Sequence, residues 1–216
     1  MLKLLKKEFL LAMHPITPMM LLLSAMVLIP NYPYVVIFFY VSMAIFFTCL
    51  LGRETNDIVY SVSLPVSKRS VVKARFLFAV IVELLQLTIM VPLTVLSQRI
   101  TPAGNLAGMD PGVALFGLGF IVSGLFNAVF FSGYYKDVNK VGVSFLKASV
   151  LLFICAALDV VSTYAVGFVR DRLDTMGTEF LTDKLIFLAV GVLIYAALTL
   201  FTYKLSVKNF EKQDLN

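Results

Sequence analysis

"ETNDIVYSVSLPVSKRSVVKARFL", residues 54–77, interrupts a chain that is otherwise almost continuously apolar. Acids and an amide come first, then a Ser-Leu-Pro turn, then the cations Lys68, Arg69, Lys73 and Arg75. On either side run "VVIFFYVSMAIFFTCLL" (35–51) and "FLFAVIVELLQLTIMVPLTVL" (76–96). Each is close to the roughly 20 apolar residues that a helix needs to cross a bilayer. Composition agrees: of 216 residues 60% are hydrophobic and only 14% charged. That is too little charge to give a soluble domain a polar surface. The chain reads as a multi-pass membrane protein whose 54–77 segment is a loop at one membrane face.

Six stretches qualify as spans: Ile16–Pro30, Tyr34–Leu51, Phe76–Ser97, Val113–Tyr135, Phe145–Val169 and Leu185–Tyr203. Backbone groups in lipid must be paired within their own segment, so all six are expected to be helices. The first is short and bracketed by Pro15, Pro18 and Pro30. Of 18 lysines and arginines, only Arg99, Arg170, Arg172 and Lys184 fall on one side, and the other fourteen gather on the opposite side. The bias predicts both termini and the 54–77 loop in the cytoplasm. The net charge of +5 therefore reports topology, with no call for a nucleic-acid partner. No repeat or low-complexity linker divides residues 1–216, which are expected to form one transmembrane domain.

Before the first span, Leu2, Leu5, Phe9 and Ala12 fall on one helical face and Lys3, Lys6 and Lys7 on another. That pattern predicts an interfacial helix over 1–14, with His14 as an interfacial residue. The lone histidine makes no metal site, and Cys49 and Cys155 lie inside apolar runs as expected packing residues. Pro65 disfavours helix at Leu64, and Ser67 is placed to cap the helix that becomes span three. Residues 52–66 then form a compact charged corner, with Glu54, Asp57 and Ile58 exposed on a short helix.

Three polar residues within spans are singled out: Glu83, Asn127 and Asp159. Glu83 is expected in a structural contact, reaching toward cytoplasmic cations. Asp159, about midway through span five, is either an interhelical hydrogen-bonding group or part of a translocation path. An ionised carboxylate there costs about 2.5–3.5 kcal/mol, so each acid needs a partner or water. Asn127 sits beside Gly124, Ala128 and Ser132, a small-residue ridge that lets helices approach closely. "GLGFIVSG" at 117–124 lacks the phosphate-cradling Gly-x4-Gly-Lys-Ser/Thr pattern and reads as packing. No serine, zinc or paired-aspartate motif for catalysis in the membrane is present in the sequence, so an enzyme is not expected. No cofactor is expected on this chain.

The run Ser63, Leu64, Pro65, Val66, Ser67, Lys68, Val71, Val72 and Arg75 resembles the segment that opens span three in short six-span permeases of ABC-2 type exporters. The layout is similar too: basic interfacial helix, six spans and a charged tail. The resemblance implies an all-α fold with a cytoplasmic coupling helix between spans two and three. That helix would dock on a soluble ABC ATPase through Glu54, Thr55, Asn56, Asp57 and Tyr60. It implies two ATPase subunits carrying ATP and Mg, and a second permease copy or paralogue. It also implies a place in membrane lipid, the bacterial cytoplasmic membrane in particular. The cargo it suggests is an amphipathic peptide or lipid-like molecule, as in the phenol-soluble modulin exporters. The alternative from the residues is a proton-coupled carrier using Glu83 and Asp159; a non-transporting membrane scaffold is the third.

Overall fold

The computed structural model describes residues 1–102 and 104–213. Helix α1 (Leu2–Lys7) widens into one π-helical turn, Glu8–Ala12, and stops at Met13, whose ψ of 127° is extended. The break is fixed by His14: its backbone N–H donates to Thr48 Oγ1 (3.1 Å) and its Nδ1 accepts from the Ile16 amide (3.1 Å). Helix α2 (Thr17–Leu22) starts with Pro18 in its first turn and tightens into a 3-10 helix over Leu23–Leu28. The Leu2–Ala12 and Thr17–Leu28 segments meet at 89°. Helices α3 (Val35–Glu54), α4 (Asp57–Ser63), α5 (Lys68–Ile100), α6 (Val113–Tyr134), α7 (Val141–Ala165) and α8 (Leu181–Glu211) follow.

Among the described residues five helices, α3 and α5 to α8, are long and apolar enough to cross a membrane. A sixth crossing exists only if Leu2–Ala12 and Thr17–Leu28 count as one bent span. The first span is thus the weakest, as its short run and bracketing prolines predict. Six α-helical and six 3-10 residues reach about 21 Å, short of a hydrocarbon core of about 30 Å. By contrast α5, with 33 residues, runs about 50 Å and must project beyond it.

Helix α6 is the hub, its apolar residues Val122, Phe126, Phe130 and Phe131 nearly inaccessible. It pairs with α8 through glycine. A methyl on Gly124 would lie 3.0 Å from Tyr195 Cα, and one on Gly191 would overlap the backbone of Gly117. The "GLGFIVSG" run is therefore packing surface, as Gly119 against the Phe38 ring also attests. Of the small-residue ridge, Gly124 is buried at the α8 contact; Ala128 and Ser132 are half-buried beside it.

Contacts define two ends. At one, Lys7 meets Asp57, Arg53 donates to Asn139 O (3.4 Å), and Gln213 Nε2 donates to Tyr135 O (3.0 Å). At the other, Asn105 Nδ2 donates to Tyr32 O (3.0 Å) and the Asp110 amide to Asp174 Oδ1 (2.6 Å). The N-terminal helix, Gln213 and the 54–77 loop share the first, basic end. Among the described residues there is no strand.

Candidate functional site

The corner between α3 and α5 is built by local rules. Helix α3 ends at Thr55, Asn56 takes a left-handed φ of 52°, and α4 begins at Asp57. Asparagine tolerates that conformation better than a branched residue would. Helix α4 stops where Leu64 turns extended (ψ 159°) before Pro65. Ser67 then caps α5, its hydroxyl accepting from the Ser70 amide at 3.2 Å.

Beneath this corner lie four charges in one buried cluster. Arg75 Nε stands 2.6 Å from Glu8 Oε2, and Arg75 Nη2 donates to Asp57 Oδ2 at 2.7 Å. The Glu8 contact is ionic, since the oxygen lies off the hydrogen-bonding direction. Lys7 Nζ completes the set, 3.0 Å from Glu8 Oε1, 2.8 Å from Asp57 Oδ1 and 2.9 Å from Ser61 Oγ. Arg75 Nη1 reaches Thr48 O at 3.4 Å, and the guanidinium packs beside Gly52. Two cations balance two carboxylates. The cluster therefore joins α1, α3, α4 and α5 into one unit. Removing one partner from such a buried set costs about 3–5 kcal/mol, because the others lose their compensation.

Of the residues singled out for docking, Glu54, Thr55, Asn56 and Tyr60 are exposed on the corner. Asp57 is not; its side chain is 14% exposed and turned inward to Lys7 and Arg75. Ile58, also expected outside, is buried in the core, and Val59 takes the exposed position instead. The helical phase of α4 is set by Asp57 seeking its cations, which rotates Ile58 inward with it. Across α1 and its π-helical turn, the buried face is Glu8 and Ala12 flanked by half-buried Leu5 and Phe9, while Leu2, Leu10 and Leu11 are exposed. The expected separation of leucines from lysines on that helix does not hold, since Lys7 also turns inward. Glu8 was overlooked in the sequence; the signal was a lone acid in a helix of lysines and leucines.

The intramembrane polar residues fall into two separate networks. Glu83 is buried between α5, α6 and α8, where Oε2 accepts from Tyr195 Oη (2.5 Å) and Asn127 Nδ2 (3.1 Å). Asn127 Nδ2 also reaches Thr199 Oγ1 at 3.4 Å. The expected cationic partner is absent: Arg75 is taken by Glu8 and Asp57, and Glu83 is held by neutral donors. Asp159 lies toward the end of α7 rather than midway, because that helix begins at Val141 and closes at Ala165. Its Oδ2 accepts from the Met109 amide (3.2 Å), and a methyl on Gly108 would overlap it. Glu83 and Asp159 share no partner. No group of three His, Cys, Asp or Glu suited to a metal occurs among the described residues. Cys49 and Cys155 are unpaired, the first buried and the second half-buried.

Five or six apolar helices, a basic end and a charged corner define a multi-pass helical membrane protein. A family model described as ABC-2 family transporter protein matches residues 3–211, nearly the whole chain, and the chain belongs to that family. It is thus a membrane permease component of an ABC transporter. No curated protein and no solved structure matches it.

Proposed function

We propose that this chain is the permease subunit of an ATP-driven exporter and that residues 52–66 seat a separate ABC ATPase at the cytoplasmic membrane face. Family membership supports the general role, and the buried Glu8–Arg75–Asp57–Lys7 cluster carries the specific one. A motor can transmit force only through a seat that does not yield. Here the exposed Glu54, Thr55 and Asn56, at the end of α3 and in the turn after it, adjoin Val59 and Tyr60 on α4, a short helix bonded from beneath to α1 and to the start of α5. Movement of the seat would be carried directly into α5. The surplus of cations at this end supports its cytoplasmic placement in the cell membrane, with both termini inside.

Two such permeases and two ATPases, related by a two-fold axis, complete the proposed assembly, with ATP and Mg held by the ATPases. The chain forms a single permease domain, residues 1–14 lying at the interface. The cargo is amphipathic, a peptide or a lipid-like molecule. In support, an open groove of 890 Å³ runs between α5, α6 and α8 toward the non-basic end. Its wall is mostly apolar (Leu87, Val91, Val95, Phe116, Phe120), with Thr88 and Gln98 as polar points.

Assembly with the ATPase tests the reading. Glu54→Ala with Tyr60→Ala removes two exposed groups without touching the buried cluster. It is expected to weaken co-purification at least about tenfold, two contact residues at about 1 kcal/mol or more each. Unchanged assembly and unchanged permease-stimulated ATP turnover would remove the corner from the mechanism.

A further inference from the structure

Helix α1 and the π-helical turn after it carry a surface that the bundle does not use and that faces Tyr60 of the docking corner. Between it and the turn before α5 lies a cleft of 650 Å³, with Lys3, Leu4 and Leu11 on one wall and Tyr60, Leu64 and Pro65 on the other. A shallower recess of 270 Å³ continues along Lys3, Lys6, Leu10 and Leu11. Lys3 and Lys6 are exposed, and among the described residues neither forms an ion pair. Beside them Leu2, Leu10 and Leu11 are 83%, 68% and 78% exposed.

An acidic protein would answer the lysines but would leave the leucines facing water or a polar surface. A phospholipid answers both, with phosphate at the cations and acyl chain on the leucines. We propose that this cleft binds the headgroup of an anionic phospholipid from the leaflet at the basic end, its chains lying along Leu10 and Leu11. The inference rests on the membrane placement given above and not on ATPase docking. Because Lys7 on the same helix is bonded to Asp57 and Ser61 of α4, an occupied cleft also steadies the corner.

The sequence contains no tryptophan, so Leu11→Trp supplies a single fluorescent reporter in the cleft, and Leu10→Trp is the second choice should it misfold. The full chain is placed in phosphatidylcholine nanodiscs containing a minor fraction of brominated phosphatidylglycerol or brominated phosphatidylcholine. The anionic lipid is expected to quench at lower mole fraction. Lys3→Gln and Lys6→Gln should each reduce that preference about fivefold, as one lysine near an anionic headgroup contributes about 1 kcal/mol. Lys136→Gln with Lys147→Gln, basic-end residues away from the cleft, should leave it intact. Equal quenching by both lipids would overturn the proposal. So would an equal loss in the control pair, which would mean diffuse surface attraction. Quenching insensitive to lipid charge yet abolished by an acidic peptide would assign the cleft to a protein instead.

Discussion

At the basic end, Asp57 meets Lys7 Nζ at 2.8 Å and Arg75 Nη2 at 2.7 Å. At the opposite end, Asp110, Asp159 and Asp174 meet no cation within ion-pair distance among the described residues and accept instead from the amides of Asn105, Met109 and Asp110, at 2.6, 3.2 and 2.6 Å. The same side-chain type is used twice with different consequences. Carboxylates answered by two side-chain cations tie four helices together at fixed distances. Carboxylates answered by amides tie down a loop, and nothing there neutralises their charge fully. The first arrangement suits a part that must be pushed. The second suits a cover that holds a fold closed locally.

The difference predicts unequal losses. Arg75→Met should have the largest effect, about 3–5 kcal/mol, because Glu8 and Asp57 are then buried with only Lys7 between them. Thermal unfolding in detergent measures it, and a loss under about 1 kcal/mol would erase the contrast between the two ends. Asp159→Ala should cost less, about 1–3 kcal/mol, by leaving the Met109 amide without its acceptor. Asp159→Asn keeps an acceptor and should recover most of that. Proteolysis of the 101–112 loop reads this directly; equal protection in all three proteins would show that the carboxylate does not hold the loop.

The smallest expected effect is pH dependence at the non-basic end. Burial pushes the Asp174 carboxyl up to about 6, and burial raises Asp110 as well. Asp137, at the basic end, moves the other way, held below its ordinary value by Lys140 at 3.1 Å and by the Asn139 amide. A raised acid favours the folded state in its protonated form. Its contribution is complete below the ordinary value of 3.8 and is lost as pH rises through about 6. Stability of wild type relative to Asp174→Asn should therefore fall between these pH values. A difference that instead grew with rising pH would reverse the assignment.

The long spans were legible in the sequence because lipid demands uninterrupted apolar runs, and Pro65 and Ser67 marked the corner by local backbone rules. The cluster was not legible, since Glu8 and Arg75 are separated by 67 positions and only the packing of α1 under α4 joins them. A helical wheel placed Lys7 with the solvated lysines, yet a half-buried aspartate on another helix outbids water for it. Asp159 was misplaced along its helix because the span was set at Phe145–Val169, four residues late at each end. Glu83 was given the wrong partner because nearness to Arg75 in sequence said nothing of Asn127 and Tyr195, which come from other helices.

The claim that the corner is a motor seat is met most directly by photo-crosslinking from position 60. With benzoylphenylalanine replacing Tyr60, illumination of the membrane complex should yield a covalent product containing a soluble ABC ATPase, identified by mass spectrometry. Products containing only lipid or a second copy of this chain, from a complex that still transports, would contradict it.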